Sequence, residues 1–232
     1  NINLNNAKYY AGHSLGEYSA LSCAGYLNFS DTLRILRVRG EAMQNAVPKG
    51  HGGMIAVLGS TIEKIEKILR DNEKKFNVQI ANDNSDGQIV LSGKIEDLSN
   101  LNLILKNNSI KYIELPVSAP FHSALMKPAA ENLSVELDAV TFNAPQIRVI
   151  QNVDADFHSD PDEIRKNLVV QMDSAVLWTN TIRRIAAENI TETVECGPGK
   201  VLAGLAKRID KSVKTIAANS VDSVAAAIEE CV

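Results

Sequence analysis

The sequence predicts an α/β protein in which a small β-α-β-β-α-β unit interrupts a larger layered domain. Three observations carry that expectation. A short apolar run, the tight turn Gly12-His13-Ser14-Leu15-Gly16 and a helical pattern follow one another near the start. Between residues 54 and 115 the apolar period switches between strand and helix in the order β, α, β, β, α, β. After residue 120 strand-like and helical segments alternate again. The chain has 232 residues and is 45% hydrophobic, enough to bury a substantial core.

The elements follow in order. Residues 7–11 read as a strand and 15–27 as a helix, with Leu15, Tyr18, Leu21 and Cys23-Ala24 as its apolar positions. Ser30-Asp31 offers an N-cap for a second helix ending near Asn45. Pro48 and Gly50-His51-Gly52-Gly53 then break the pattern. Within the small unit, strands are expected at 54–58, 78–81, 88–91 and 110–115, and helices at 61–74 and 95–107. Residues 82–87 (Asn-Asp-Asn-Ser-Asp-Gly) read as a turn. Beyond it come helices at 125–140, from Pro161, at 179–188 and at 200–209, with strands at 148–151 and 193–195. The expected division is 1–50 and 118–232 for the larger domain, with a ferredoxin-like unit at 51–117 between its two parts.

Composition narrows the function classes. A net charge of −4 gives no overall basic face for nucleic acid. No apolar run is long enough to cross a bilayer, and no secretory signal opens the sequence. The three cysteines, Cys23, Cys196 and Cys231, are odd in number and widely spaced, which fits free thiols in a reducing cytoplasm. They form no Cys-x-x-Cys pair, so no zinc site is expected, and Cys196 is expected to be a buried structural thiol.

The chemistry points to Ser14. Gly-x-Ser-x-Gly between a strand and a helix is a nucleophile elbow. The turn is tight, so both flanking glycines are expected to be sterically required. The Leu15 N–H and the helix dipole stand ready for an oxyanion. With Gly and Ser each near 7% of residues, a random chain of this length holds about 0.08 such matches. A serine needs a base. Among the four histidines, His13 adjoins Ser14 and is expected to diverge from it, while His51 and His158 lie in polar stretches and read as solvated. His122 lies in Pro120-Phe121-His122-Ser123 at the join of the two domains, where clefts form. On these residues alone a transferase and a serine hydrolase stay almost level. A hydrolase of this type usually places its histidine near the C-terminus, after an acid. An inactive chain is the third reading.

Several segments, in order, resemble the malonyl-CoA:acyl carrier protein transacylases, the free-standing enzymes of bacterial-type fatty acid synthesis. They are Gly12-His13-Ser14-Leu15-Gly16-Glu17-Tyr18-Ser19-Ala20, Arg37-Val38-Arg39-Gly40-Glu41-Ala42-Met43, Asn82-Asp83-Asn84-Ser85 with Gln88-Ile89-Val90, Val117-Ser118-Ala119-Pro120-Phe121-His122-Ser123, Gln151-Asn152-Val153-Asp154-Ala155, and Glu195-Cys196-Gly197-Pro198-Gly199-Lys200. The resemblance covers essentially the whole sequence. It implies an α/β-hydrolase-like parallel-sheet domain with a ferredoxin-like insertion.

It also implies roles. Ser14 would carry the acyl group, His122 would be general base and acid, the Gln171 backbone carbonyl would orient His122, and Leu15 would give an oxyanion N–H. Arg39 would pair with the free malonyl carboxylate, a natural task for a bidentate guanidinium, although by itself it reads as a solvated helix arginine like Arg34 or Arg37. Phe121 would disfavour an α-methyl group, Asn84 would lie along the pantetheine path, and His13 and Met43 would complete the substrate pocket. The implied reaction is ping-pong transfer from malonyl-CoA to the thiol of acyl carrier protein by a cytoplasmic monomer, with no metal or other cofactor. Lys111, Lys127, Lys200, Lys207 and Arg208 are candidates for an acidic carrier surface. The family's Gly-Gln-Gly-Ser-Gln loop, which supplies a second oxyanion N–H, has no counterpart here, so the sequence is expected to be part of a longer chain.

Overall fold

A computed structural model describes residues 7–144 and 147–230. Residues 1–6 and Cys231 lie outside the described residues. The larger domain begins with β1 (Tyr9–Ala11), α1 (Leu15–Ala24) and α2 (Phe29–Asn45). The small unit follows as β2 (Gly52–Leu58), α3 (Ile62–Asp71), β3 (Val78–Ser85), β4 (Gln88–Lys94), α4 (Ile95–Asn107) and β5 (Lys111–Glu114). The larger domain then resumes with a 3-10 turn (Ala124–Met126), α5 (Lys127–Asp138), β6 (Arg148–Ile150), α6 (Pro161–Val170), α7 (Trp178–Ala187), β7 (Glu192–Cys196), α8 (Val201–Ile209), β8 (Lys214–Ala218) and α9 (Val221–Glu230).

Both sheet pairs of the larger domain are parallel, β1 with β6 and β7 with β8. Its helices α1, α2, α5 and α6 close around Tyr18, Leu21, Ile35, Leu133, Ile164 and Leu168. The small unit is a four-stranded antiparallel sheet in the order β3-β4-β2-β5. Alternation gives it two faces. Ile55, Val57, Ile89 and Leu91 pack under Ile65 of α3 and Leu98, Leu101 and Leu105 of α4. Met54, Ala56, Ala81 and Val90 pack the other way, against Leu115, Val117 and Phe121. That second face carries the sheet up to the segment holding His122.

The small unit is stitched to the larger domain by backbone. The Asp83 N–H donates to the Val176 carbonyl at 3.0 Å, and the Val176 N–H to the Ala81 carbonyl at 2.9 Å. Gly52 permits a close approach: a Cβ there would stand 2.3 Å from the Pro120 ring.

Four details differ from the expectations. The cap of α2 is Asn28, whose side chain accepts from the Asp31 N–H, so Ser30 and Asp31 lie inside the helix. β3 runs on to Ser85, because Asn82 to Ser85 are all buried and their register with β4 and bridge to Val176 outweigh turn propensity. β8 and α9 have no counterpart among the predicted elements. Cys196 ends β7 exposed, not buried.

Candidate active site

The elbow is built by local sterics. Ser14 sits at φ 52° and ψ −108°, between the end of β1 and the first turn of α1. This left-handed placement of a non-glycine costs about 1–3 kcal/mol and is held only by its surroundings. A Cβ on Gly12 would lie 2.0 Å from the Gly16 backbone, so Gly12 cannot be replaced. Gly16 is different: a Cβ there meets nothing within 4 Å, which corrects the expectation that both glycines are sterically required.

His122 comes from the opposite wall. The Ser123 hydroxyl closes its turn by donating to the Pro120 carbonyl at 2.7 Å, and His122 itself sits at φ 55°. Its Nε2 is 2.8 Å from Ser14 Oγ, and its Nδ1 is 2.8 Å from the Gln171 carbonyl. A carbonyl only accepts, so Nδ1 carries the proton and Nε2 is free to take one from the serine. Burial, and next the charge of Arg39, hold the His122 pKa down at about 3 against the opposing bond to Gln171. The imidazole is therefore neutral across the physiological range.

Arg39 is not a solvated helix arginine. It is 5% exposed, and one guanidinium nitrogen, Nη2, donates to Ser14 Oγ at 2.9 Å and to Gln171 Oε1 at 3.0 Å. Its guanidinium lies over the Tyr18 ring at 5.4 Å. Its buried Nε has no hydrogen-bond partner, and no carboxylate pairs with it among the described residues. A cavity of about 350 Å³ opens onto Ser14, His122, Arg39, His13, Met43 and Phe121. Asn82 also lines it, whereas Asn84 stands behind His13 and accepts from its Nε2 at 2.8 Å. The His13 ring meets Trp178 edge-on. Its pKa is lowered by burial against that bond to Asn84. The Leu15 side chain is half exposed, but its N–H opens α1, where no intrahelical acceptor exists.

A layer beneath these residues has no counterpart among the predicted roles. Asn152 Oδ1 accepts the Ser14 N–H at 2.7 Å, and its Nδ2 donates to the Gly12 carbonyl at 2.7 Å, clamping both sides of the turn. Glu17 lies below it, fully buried. Both fall in segments that the motifs had marked, yet only the packing of α1 against the loop after β6 and the end of α6 shows what they touch. His158 also differs from expectation. It is bracketed by Asp154 at 2.6 Å and Glu163 at 3.1 Å. Burial pulls its pKa down, but the bonds to the two carboxylates outweigh that and raise it. Among the described residues no group of three or more His, Cys, Asp or Glu is placed to hold a metal, and no helix is long and apolar enough to cross a membrane.

A serine on a strained elbow, a histidine oriented by a carbonyl and an unpartnered N–H at a helix start are the arrangement of an enzyme that handles acyl groups through serine. Comparison with known proteins places it more narrowly: residues 6–226 match the acyl transferase domain, and the chain belongs to that family. It is 44% identical over 220 residues to the malonyl CoA-acyl carrier protein transacylase of Escherichia coli K12, covering 94% of this chain and 71% of that protein. The Bacillus subtilis protein of the same name is 43% identical over 221 residues, covering 94% and 70%. A solved acyl-carrier-protein S-malonyltransferase from Bartonella henselae superposes with a TM-score of 0.93 at 42% identity, covering 98% of this chain and 73% of that one. A type II polyketide acyl carrier protein in complex with its malonyl-transacylase gives 0.93 at 39% identity, covering 96% and 72%.

Proposed function

We propose that this protein moves a malonyl group from malonyl-CoA to the pantetheine thiol of an acyl carrier protein, by way of malonyl-Ser14, in fatty acid synthesis. The observation that carries the reading is Arg39: a buried guanidinium, 2.9 Å from the nucleophile, with no carboxylate of its own among the described residues. A malonyl thioester brings that carboxylate. An acetyl group does not, and leaves the cation unpaired.

The chemistry balances on the residues present. Ser14 gives its proton to His122 Nε2 as Oγ attacks the thioester carbonyl. The oxyanion forms at the Leu15 N–H. Collapse breaks the carbon–sulfur bond, and the CoA thiolate takes the proton from His122. In the second half the carrier thiol gives its proton to His122, attacks the serine ester and releases Ser14, which recovers the proton. A substrate carboxylate on Arg39 also offsets the largest of the charge effects that depress the His122 pKa, so the bound acyl group improves its own base. A thioester is already activated, so no cofactor is required.

The finer assignments belong to this reading. Residues 51–117 form the ferredoxin-like insertion, supported by the strand order and by both helices lying on one face. Residues 1–50 and 118–232 make up the catalytic domain. His13, Met43 and Phe121 shape the acyl and pantetheine path, with Asn84 bracing His13 from behind, and the enzyme acts as a cytoplasmic monomer. Incubation with malonyl-CoA and intact-mass measurement tests it. The wild type is expected to gain one malonyl group and to lose it to a pantetheine thiol faster than to water. A Ser14→Ala variant that gains the same adduct excludes Ser14 as the carrier.

A further inference from the structure

Among the described residues Glu17 is the one fully buried carboxylate in contact with this site. It is three residues past the nucleophile, and its side chain turns under the elbow. Oε2 accepts the Asn152 N–H at 2.8 Å and Gln171 Nε2 at 3.0 Å, and Oε1 accepts Gln151 Nε2 at 3.1 Å. The orientations of both amides are fixed from their far ends. Gln171 must turn its oxygen to Arg39, which only donates. Gln151 must turn its nitrogen to the Ile164 carbonyl, which only accepts. Every neighbour of the carboxylate is thus a donor, and a carboxylic acid proton would have no acceptor among them.

The partners of Glu17 reach each reacting group. Asn152 holds the Ser14 N–H and the Gly12 carbonyl. Gln171 holds His122 through its backbone and Arg39 through its side chain. The Gln171 amide also lies between the Arg39 cation and the Glu17 anion, so each charge polarises the bond to the other. We propose that Glu17 is a positioning residue: its ionised carboxylate, braced beneath the elbow, holds Asn152 and Gln171 in the orientations that place Ser14, His122 and Arg39 for acyl transfer.

This role rests on the acyl-serine reading, and one experiment separates the two. Wild type and Glu17→Gln are loaded with malonyl-CoA or acetyl-CoA under rapid quench between pH 5.5 and 8.5, and the Ser14 adduct is read by intact mass. A neutral amide cannot accept at both ends, so in either orientation its NH2 faces an N–H donor. Misplacement by an ångström costs on the order of 10²-fold in rate, so malonyl loading by folded Glu17→Gln is expected to fall about 10–100-fold. Its preference for malonyl over acetyl is expected to fall too, because Arg39 loses its brace.

The pH profile gives a readout that a merely structural role would not move. Burial pushes the Glu17 pKa up to about 7, so wild-type loading is expected to climb with pH through that region and the variant to lack the climb. The charged and titratable groups facing Glu17 are Asp154, Tyr18 and, across Gln171, Arg39 and His122. His122 titrates far below this window, and His158 beyond Asp154 is common to both proteins. A folded Glu17→Gln that loads within two-fold of wild type at every pH, with the same acyl preference, overturns the role. If that variant does not fold, a wild-type profile that is flat from pH 6 to 8 overturns it. A wild type that takes no label on Ser14 overturns the acyl-serine reading and this role together.

Discussion

The ground beneath Ser14 and the core of the small unit are equally dry but built from opposite materials. Under the elbow, Glu17, Gln151, Asn152 and Gln171 are each fully buried, and each is joined to the others or to the backbone by hydrogen bonds. In the small unit, Leu91, Leu101 and Leu105 are also fully buried and belong to one apolar cluster. Apolar packing is tolerant of direction and yields stability. A buried polar network is demanding: every donor needs its acceptor, and the carboxylate has lost its water. The first region fixes where atoms sit, and the second keeps the sheet face behind Phe121 in place.

That contrast can be broken from either side. Leu101→Ala in the apolar core leaves a cavity costing about 2–5 kcal/mol, or roughly 5–15 °C in melting temperature for a chain of this size. Loading of Ser14 per folded molecule is expected to stay within two-fold of wild type, by thermal melt and adduct rate on one preparation. A large loss of rate at permissive temperature would mean that the two regions are not separable. Glu17→Gln is expected to show the reverse pattern, with rate lost and folding kept.

A smaller effect lies in the pH dependence of stability. Glu17 is raised from 4.5 to about 7 by burial, so the stability that it contributes is greatest below 4.5 and is lost as pH rises through 7. His122 works the other way. Its lowered pKa makes stability fall as pH drops from 6.5 toward 3. Below pH 6.5 the two slopes oppose each other, so the readout is the difference between the two proteins: Glu17→Gln is expected to gain melting temperature relative to wild type as pH rises from 4.5 to about 7. A constant difference across that window would show that the folded protein does not hold Glu17 in this titrating state.

The two regions were not equally legible in the sequence. The small unit could be read almost entirely, because alternating and helical periods are local properties and its core follows from them. Only its Asn82 to Ser85 segment misled: side-chain propensity favours a turn, while burial against Val176 makes a strand. The elbow was legible because glycine, serine and spacing are local too. Arg39 was not legible from its own residues, since nothing nearby tells a buried arginine from Arg37, which is exposed in an i,i+4 pair with Glu41. Its role came from the family resemblance. The roles of Glu17 and Asn152 stayed hidden because they exist only where α1, the loop after β6 and the end of α6 meet. His158 was misread for the same reason, since Glu163 reaches it from α6.

The central claim is that Arg39 selects a carboxylated acyl group for Ser14. Its most direct test compares Arg39→Ala with wild type in parallel adduct formation from malonyl-CoA and acetyl-CoA. A charge-assisted hydrogen bond contributes about 1.5–3 kcal/mol, so malonyl loading is expected to fall roughly 10–150-fold while acetyl loading changes far less or rises. Equal losses for both acyl groups would contradict the account.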